Sequence, residues 1–221
     1  MKRITLFAGH YGSGKTNIAV NWAKHIKNQG YNTTIIDLDI VNPYFRTKDS
    51  EAELKSEGIE LICSEYANTN LDAPALPKEI YTAISNKSTH LVIDVGGDDC
   101  GAVALGRYTK DILDENDYDM LFVANCYRPL TKTPEDALDI MREIELASHL
   151  PFTAIVNNSN VGDETTRKTV LSSQEYIEKL SKLSGLPVLM TTATAEVFEQ
   201  IKEHCPDVFK IELQDKYYKI K

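Results

Sequence analysis

Residues 9–16 read Gly9-His10-Tyr11-Gly12-Ser13-Gly14-Lys15-Thr16, a tight glycine-rich run closed by a lysine and a threonine. An apolar stretch at 3–8 precedes it, and a segment with helical periodicity follows. Glycines let the backbone wrap so closely that successive N–H groups converge on one point, and a helix starting there adds partial positive charge. Such a run works only at a strand-to-helix junction. It therefore fixes the first two elements and calls for a sheet covered by helices. The spacing is that of a phosphate-binding P-loop. Lys15 is expected to set a point charge against the outer phosphates of a nucleotide, and Thr16 to offer its hydroxyl to Mg²⁺. Gly9, Tyr11, Gly12, Ser13, Gly14 and Asn17 complete the expected nucleotide-binding set.

The rest of the chain alternates strand-like and helix-like segments without repeats, low-complexity tracts or linkers. Strands are predicted at 3–8, 33–37, 59–63, 90–95, 120–125, 152–157 and 187–190. In the segment 16–29, Ile18, Trp22 and Ile26 recur at helical spacing, widened by Ala19 and Ala23. A helix over 134–149 is announced by Thr133 as N-cap and Pro134 in the first turn. A further helix around Val170, Ile177, Leu180 and Leu183 should stop at Gly185. Short apolar strands joined by helices predict a doubly wound, mostly parallel sheet of about seven strands with helices on both faces. A length of 221 residues fits one such domain spanning 1–221, with a short tail from about 206. Ligands of these folds bind beyond the carboxyl ends of the strands.

The remaining unusual residues fall at those ends. Ile35-Ile36-Asp37-Leu38-Asp39 closes a strand with two acids, which can hold Mg²⁺ through water or orient an attacking water. Leu91-Val92-Ile93-Asp94-Val95-Gly96-Gly97 places Asp94 where a Walker B carboxylate holds the metal's water shell. Gly97 could bring its N–H toward the γ-phosphate. Asn157-Asn158-Ser159-Asn160 follows another strand, and an amide can bond both donor and acceptor edges of a base. No N-K-x-D guanine-reading run is present, which favours adenine, although an asparagine-rich turn without a ligand fits equally well. Arg46 and Arg128 read as phosphate or acidic-substrate clamps, or as surface arginines.

A net charge of −9 excludes bulk attraction to nucleic acid or anionic lipid. No apolar stretch approaches the roughly 20 residues of a spanning helix, and no signal-peptide pattern opens the chain, so a cytoplasmic location is expected. Cys63, Cys100, Cys126 and Cys205 are widely spaced, unlike a zinc or iron–sulfur set.

Taken together, G-x-x-x-x-G-K-T, D-L-D after the second strand and D-V-G-G-D after a later one resemble the MinD/ParA/CobQ/CobB group of P-loop proteins. That group includes the nitrogenase iron protein. The resemblance implies ATP with Mg²⁺ as ligands. It also implies Asp39 as the acid positioning the attacking water, Asp98 as the second acid of the γ-phosphate sensor, and Asn157 as the adenine-reading amide. Lys15 joins Asp39 and Asp98 in the implied catalytic set, with Thr16, Asp39 and Asp94 around the metal. One departure stands out: group members carry a lysine at the second loop position that acts across a dimer, and His10 holds it here. The implied activity is slow ATP hydrolysis that switches segments 39–46 and 96–107 and so changes affinity for a protein partner. The alternative is an ATP-dependent kinase or ligase with a small acidic acceptor near Tyr44, Arg46 and Arg128. Oligomeric state stays open.

Overall fold

The computed structural model describes residues 1–39, 47–63, 77–97 and 99–214. Strands β1 (Ile4–Ala8), β2 (Thr33–Leu38), β3 (Glu60–Cys63), β4 (His90–Val95), β5 (Tyr118–Ala124), β6 (Ala154–Asn157), β7 (Val188–Thr194) and β8 (Val208–Ile211) form one sheet. Its order is β3-β2-β4-β1-β5-β6-β7-β8, and every neighbouring pair is parallel. The connecting helices are α1 (Lys15–Asn28), α2 (Glu51–Ser56), α3 (Glu79–Ser85), α4 (Asp99–Gly106), α5 (Thr109–Glu115), α6 (Pro134–Ser148), α7 (Arg167–Ser172), α8 (Gln174–Ser184) and α9 (Ala195–Ile201).

Burial on both faces explains the near-continuous apolar strands. Within β1, Ile4, Leu6 and Ala8 enter a core layer with Leu105 and Tyr108 from the α4 side and Met141 from α6. Phe7 turns the other way, into a layer with Ile18, Ala19, Ala23 and Ile26 of α1. The stripe expected of the first helix is thus the face that α1 buries. Trp22 sits at its margin, donating from Nε1 to Thr5 Oγ1 at 3.2 Å and meeting Phe209 of β8 edge-on.

Helix α6 starts as its sequence predicts: Thr133 and Asp136 form a reciprocal capping box with Pro134 in the first turn. Three details differ from expectation. The helix expected around Val170–Leu183 is broken at Ser173, whose hydroxyl turns back to Val170 O at 2.7 Å. Strand β7 runs on through Thr191–Thr194, because β-branched residues suit a pleated, half-buried surface. The alternating Phe209–Ile211 stretch adds an eighth strand at the sheet edge.

Chain order places the site. After β1 the chain moves outward to β2 and β3, returns to insert β4 beside β1, then crosses to β5 and continues outward on the other side. The carboxyl ends of β1, β2, β4 and β5 therefore meet around one crevice. Among the described residues no helix is long and apolar enough to cross a membrane.

Candidate functional site

The loop after β1 is built for close approach. Gly14 adopts φ 93°, and a Cβ there would lie 2.2 Å from Asn158 Nδ2. Only glycine fits, because that amide donates to Ser13 O at 2.6 Å and props the loop from behind. Helix α1 starts at Lys15 with no side-chain cap and no acid in its first turn, so its leading N–H groups and positive end face outward. Lys15 is 6% exposed and donates from Nζ to His10 O at 3.3 Å.

Strands β2 and β4 bring the acids to this loop, with Asp37 and Asp94 in register. Asp94 is buried. Its Oδ2 accepts from Thr16 Oγ1 at 2.7 Å and from Thr47 Oγ1 at 2.9 Å. Its Oδ1 has no hydrogen-bond partner among the described residues. Burial pushes the Asp94 carboxyl up to about 6, although the Lys15 charge and the two hydroxyls pull it down; Asp39 adds to the rise. Asp37 is also buried, and its Oδ1 accepts the Asp39 N–H at 2.9 Å. That turn leaves Asp39 on the wall of the crevice while Asp37 stays inside. The segment after β4 presses on the loop: a Cβ on Gly97 would fall 2.7 Å from Tyr11 N and 2.8 Å from Lys15 Nζ.

The crevice has a volume of about 360 Å³ and runs from the loop toward the ends of β6, β7 and β8. Of the expected nucleotide-binding residues, Tyr11, Gly12, Gly14, Lys15, Thr16 and Asn17 line it, while Gly9 and Ser13 lie behind the wall. Asn17 is held by the C-terminal segment, its Oδ1 accepting from Gln214 N at 2.8 Å. His10 turns its Nδ1 to Tyr11 O at 2.9 Å. Asn158, Asn160, Asp163 and Thr165 also line the crevice.

Asn157 lies deeper than the crevice wall. It is fully buried, donating to Ser173 Oγ at 2.9 Å and accepting from Ser159 N, so it does not reach the crevice. Its neighbour Asn158 faces the loop instead, bonded to Ser13 O and to Thr192 Oγ1. Asp98, Tyr44 and Arg46 lie outside the described residues.

Other residues at the site carried no local signal. Thr47 reaches Asp94 from the far side of the segment following β2. Asn125 is fully buried and ties the loop after β5 to Asn160. Arg128, read from sequence only as an ambiguous clamp, donates from Nε to Gly12 O at 2.7 Å and lines the crevice.

The donor set suits Mg²⁺. This ion takes few protein ligands, keeps its waters and completes its shell with phosphate oxygens. A threonine hydroxyl backed by a buried carboxylate with one oxygen free of hydrogen bonds offers that arrangement. Among the described residues, no group of three or more His, Cys, Asp or Glu side chains is placed to cage a metal. All four cysteines are free thiols.

No protein-family model matches the chain, and no curated protein matches it. Solved structures do. FtsY from Thermotoga maritima superposes with a TM-score of 0.61 at 16% identity, covering 86% of this chain and 61% of that one. FtsY from Mycoplasma mycoides gives 0.57 at 18%, covering 86% and 59%. The 54 kDa protein of the signal recognition particle from Aeropyrum pernix, solved with GDP, gives 0.52 at 17%, covering 84% and 40%. The chain thus spans about three fifths or less of these structures' length. At such identities the likeness is one of fold, a parallel sheet with connecting helices.

Proposed function

We propose that this chain binds a nucleoside triphosphate with Mg²⁺, hydrolyses it slowly and acts as a nucleotide-dependent switch on a protein partner. One observation carries the reading: the Thr16–Asp94–Thr47 hydrogen bonds beside Lys15, at the joint ends of β1, β2 and β4. Thr16 and Asp94 would hold the metal, directly and through its water shell, and Lys15 the outer phosphates. Asp39 would orient the attacking water. Thr47 and Gly97 connect the segments after β2 and β4 to the same point, so a change in phosphate number would be felt in both. The alternative is an ATP-dependent kinase or ligase with its acceptor near Tyr44, Arg46 and Arg128, of which Arg128 lines the crevice. Similarity to the MinD/ParA/CobQ/CobB group remains part of the proposal.

ATP is the nucleotide favoured by the missing N-K-x-D run, although Asn157 no longer supports it. A second reading, GTP, is favoured by Asp163 on the crevice wall. A carboxylate only accepts hydrogen bonds, and guanine presents adjacent N–H donors where adenine presents a donor beside an acceptor. The Aeropyrum pernix structure with GDP points the same way. Displacement of a fluorescent triphosphate analogue by ATP and by GTP, with Mg²⁺ present, tests both. Displacement by one of them supports the site and names the base. Failure of both at millimolar concentration would remove the proposal.

A further inference from the structure

We infer that Arg128 is a phosphate-binding residue supplied in cis, the second cation of the nucleotide site. This inference rests on the site reading above. Among the described residues the crevice wall carries two basic side chains, Lys15 and Arg128, against two acidic ones, Asp39 and Asp163. Mg²⁺ and Lys15 would offset part of a triphosphate's charge, and Arg128 is the other basic side chain on the wall among the described residues.

Its placement is too constrained for a surface arginine. Asn125, fully buried at the end of β5, accepts the Arg128 N–H at 3.2 Å and the Thr131 hydroxyl at 2.8 Å through its carbonyl. Its side-chain Oδ1 accepts the Tyr127 N–H at 3.0 Å. Tyr176 donates to Thr131 O at 2.8 Å, and Pro129 starts the 3₁₀ turn that follows. The backbone of Arg128 is therefore fixed on both sides before any ligand arrives. From there its side chain crosses to the P-loop, and Nε donates to Gly12 O at 2.7 Å. Gly12 has no Cβ, and one built there would sit in van der Waals contact with Nε at 3.7 Å, so the guanidinium lies close against the loop.

Anchoring through Nε leaves both terminal NH₂ groups for a ligand, and among the described residues neither forms an ion pair. A planar fork held in this way matches phosphate oxygens two at a time. Gly12 lies in the part of the loop that cradles the β- and γ-phosphates, so the contact belongs to the outer end of the chain. Arg128 thus discriminates nucleotides by phosphate number.

Calorimetry with a non-hydrolysable triphosphate and with the matching monophosphate tests this on wild type, Arg128→Ala and Arg128→Lys. Losing a charge-assisted contact should weaken triphosphate binding about tenfold or more in Arg128→Ala. Monophosphate binding should stay within about twofold, and Arg128→Lys should recover part of the loss by restoring the charge without the fork. The unfolding midpoint of nucleotide-free Arg128→Ala should match wild type. Unchanged triphosphate affinity would overturn the inference. So would an equal loss for both nucleotides, which would mean that Arg128 only braces the loop. Wild-type protein that binds neither nucleotide would overturn the site reading and this inference with it.

Discussion

Two carboxylates stand at opposite ends of the sheet, and their surroundings differ in kind. At the amino end, Glu115 takes both Nε and Nη2 of Arg3, while the other Arg3 N–H groups go to the carbonyls of Ile84, Asn86 and Thr89. Every donor of that guanidinium is satisfied. At the carboxyl end, Asp94 has two hydroxyls on one oxygen and, among the described residues, nothing on the other. Burial opposes ionisation of both. At Glu115 the hydrogen bonds from Arg3 and Lys87 win and hold the carboxyl below its ordinary range. At Asp94 burial wins, and the carboxyl rises to about 6. A charge that serves folding is closed off by the chain itself. On the proposed reading, one that serves a ligand is left incomplete until the ligand arrives.

The largest effect should come from breaking the closed end. Arg3→Met leaves Glu115 buried without its partner and should cost about 3 kcal/mol of stability, a figure at the low end for buried pairs because Lys87 remains. Urea titration checks this, and protein still folded in mild conditions should bind nucleotide as wild type does. A comparable loss of affinity would mean that the two ends are not separate. Lys15→Ala should act the other way round. It removes a charge-assisted phosphate contact worth roughly 1.5–3 kcal/mol, or about ten- to a hundredfold in affinity, while the chain stays folded. Calorimetry giving wild-type affinity would break the comparison at the ligand end. Asp39→Ala should do least to binding and slow turnover about tenfold or more, since water orientation matters mainly in the transition state. Phosphate release at the wild-type rate would remove Asp39 from the proposed chemistry.

How much of this the sequence announces depends on how local each contact is. The P-loop and Asp94 are legible because their chemistry is written within a few consecutive residues at a strand end. Strand alternation and the apolar stripe of α1 give the parallel sheet for the same reason. Thr47, Asn125 and Arg128 are not legible as a set, because each acts on a residue from another strand's loop, and no spacing along the chain encodes that meeting. The choice between Asn157 and Asn158 is a matter of register. Consecutive strand residues point to opposite faces, and the pairing of β6 with β7 shifts between Ile155 and Val156. With two adjacent amides at such an end, the pattern does not say which one turns inward. The division of the expected helix at Ser173 follows from the same contact, since the Ser173 hydroxyl accepts from buried Asn157.

pH should move the two ends in opposite directions. Glu115, with its carboxyl held low, contributes stability that is complete above its ordinary value of 4.5 and lost as pH falls further. Asp94 is raised from 3.8 to about 6 in the folded chain, so the native state binds the extra proton and loses stability as pH rises across that window. The penalty reaches about 3 kcal/mol above pH 6, since each tenfold change in proton affinity is worth about 1.4 kcal/mol. Thermal unfolding of wild type and Asp94→Asn at pH 7.5 puts this to the test. Without nucleotide and with Mg²⁺ chelated, the variant should melt at the higher temperature, because it buries no charge. With Mg²⁺ and a triphosphate the order should reverse, because only wild type can complete its carboxylate with the metal's water shell. A variant that melts lower under both conditions would show that Asp94 is a structural residue, and would contradict the account.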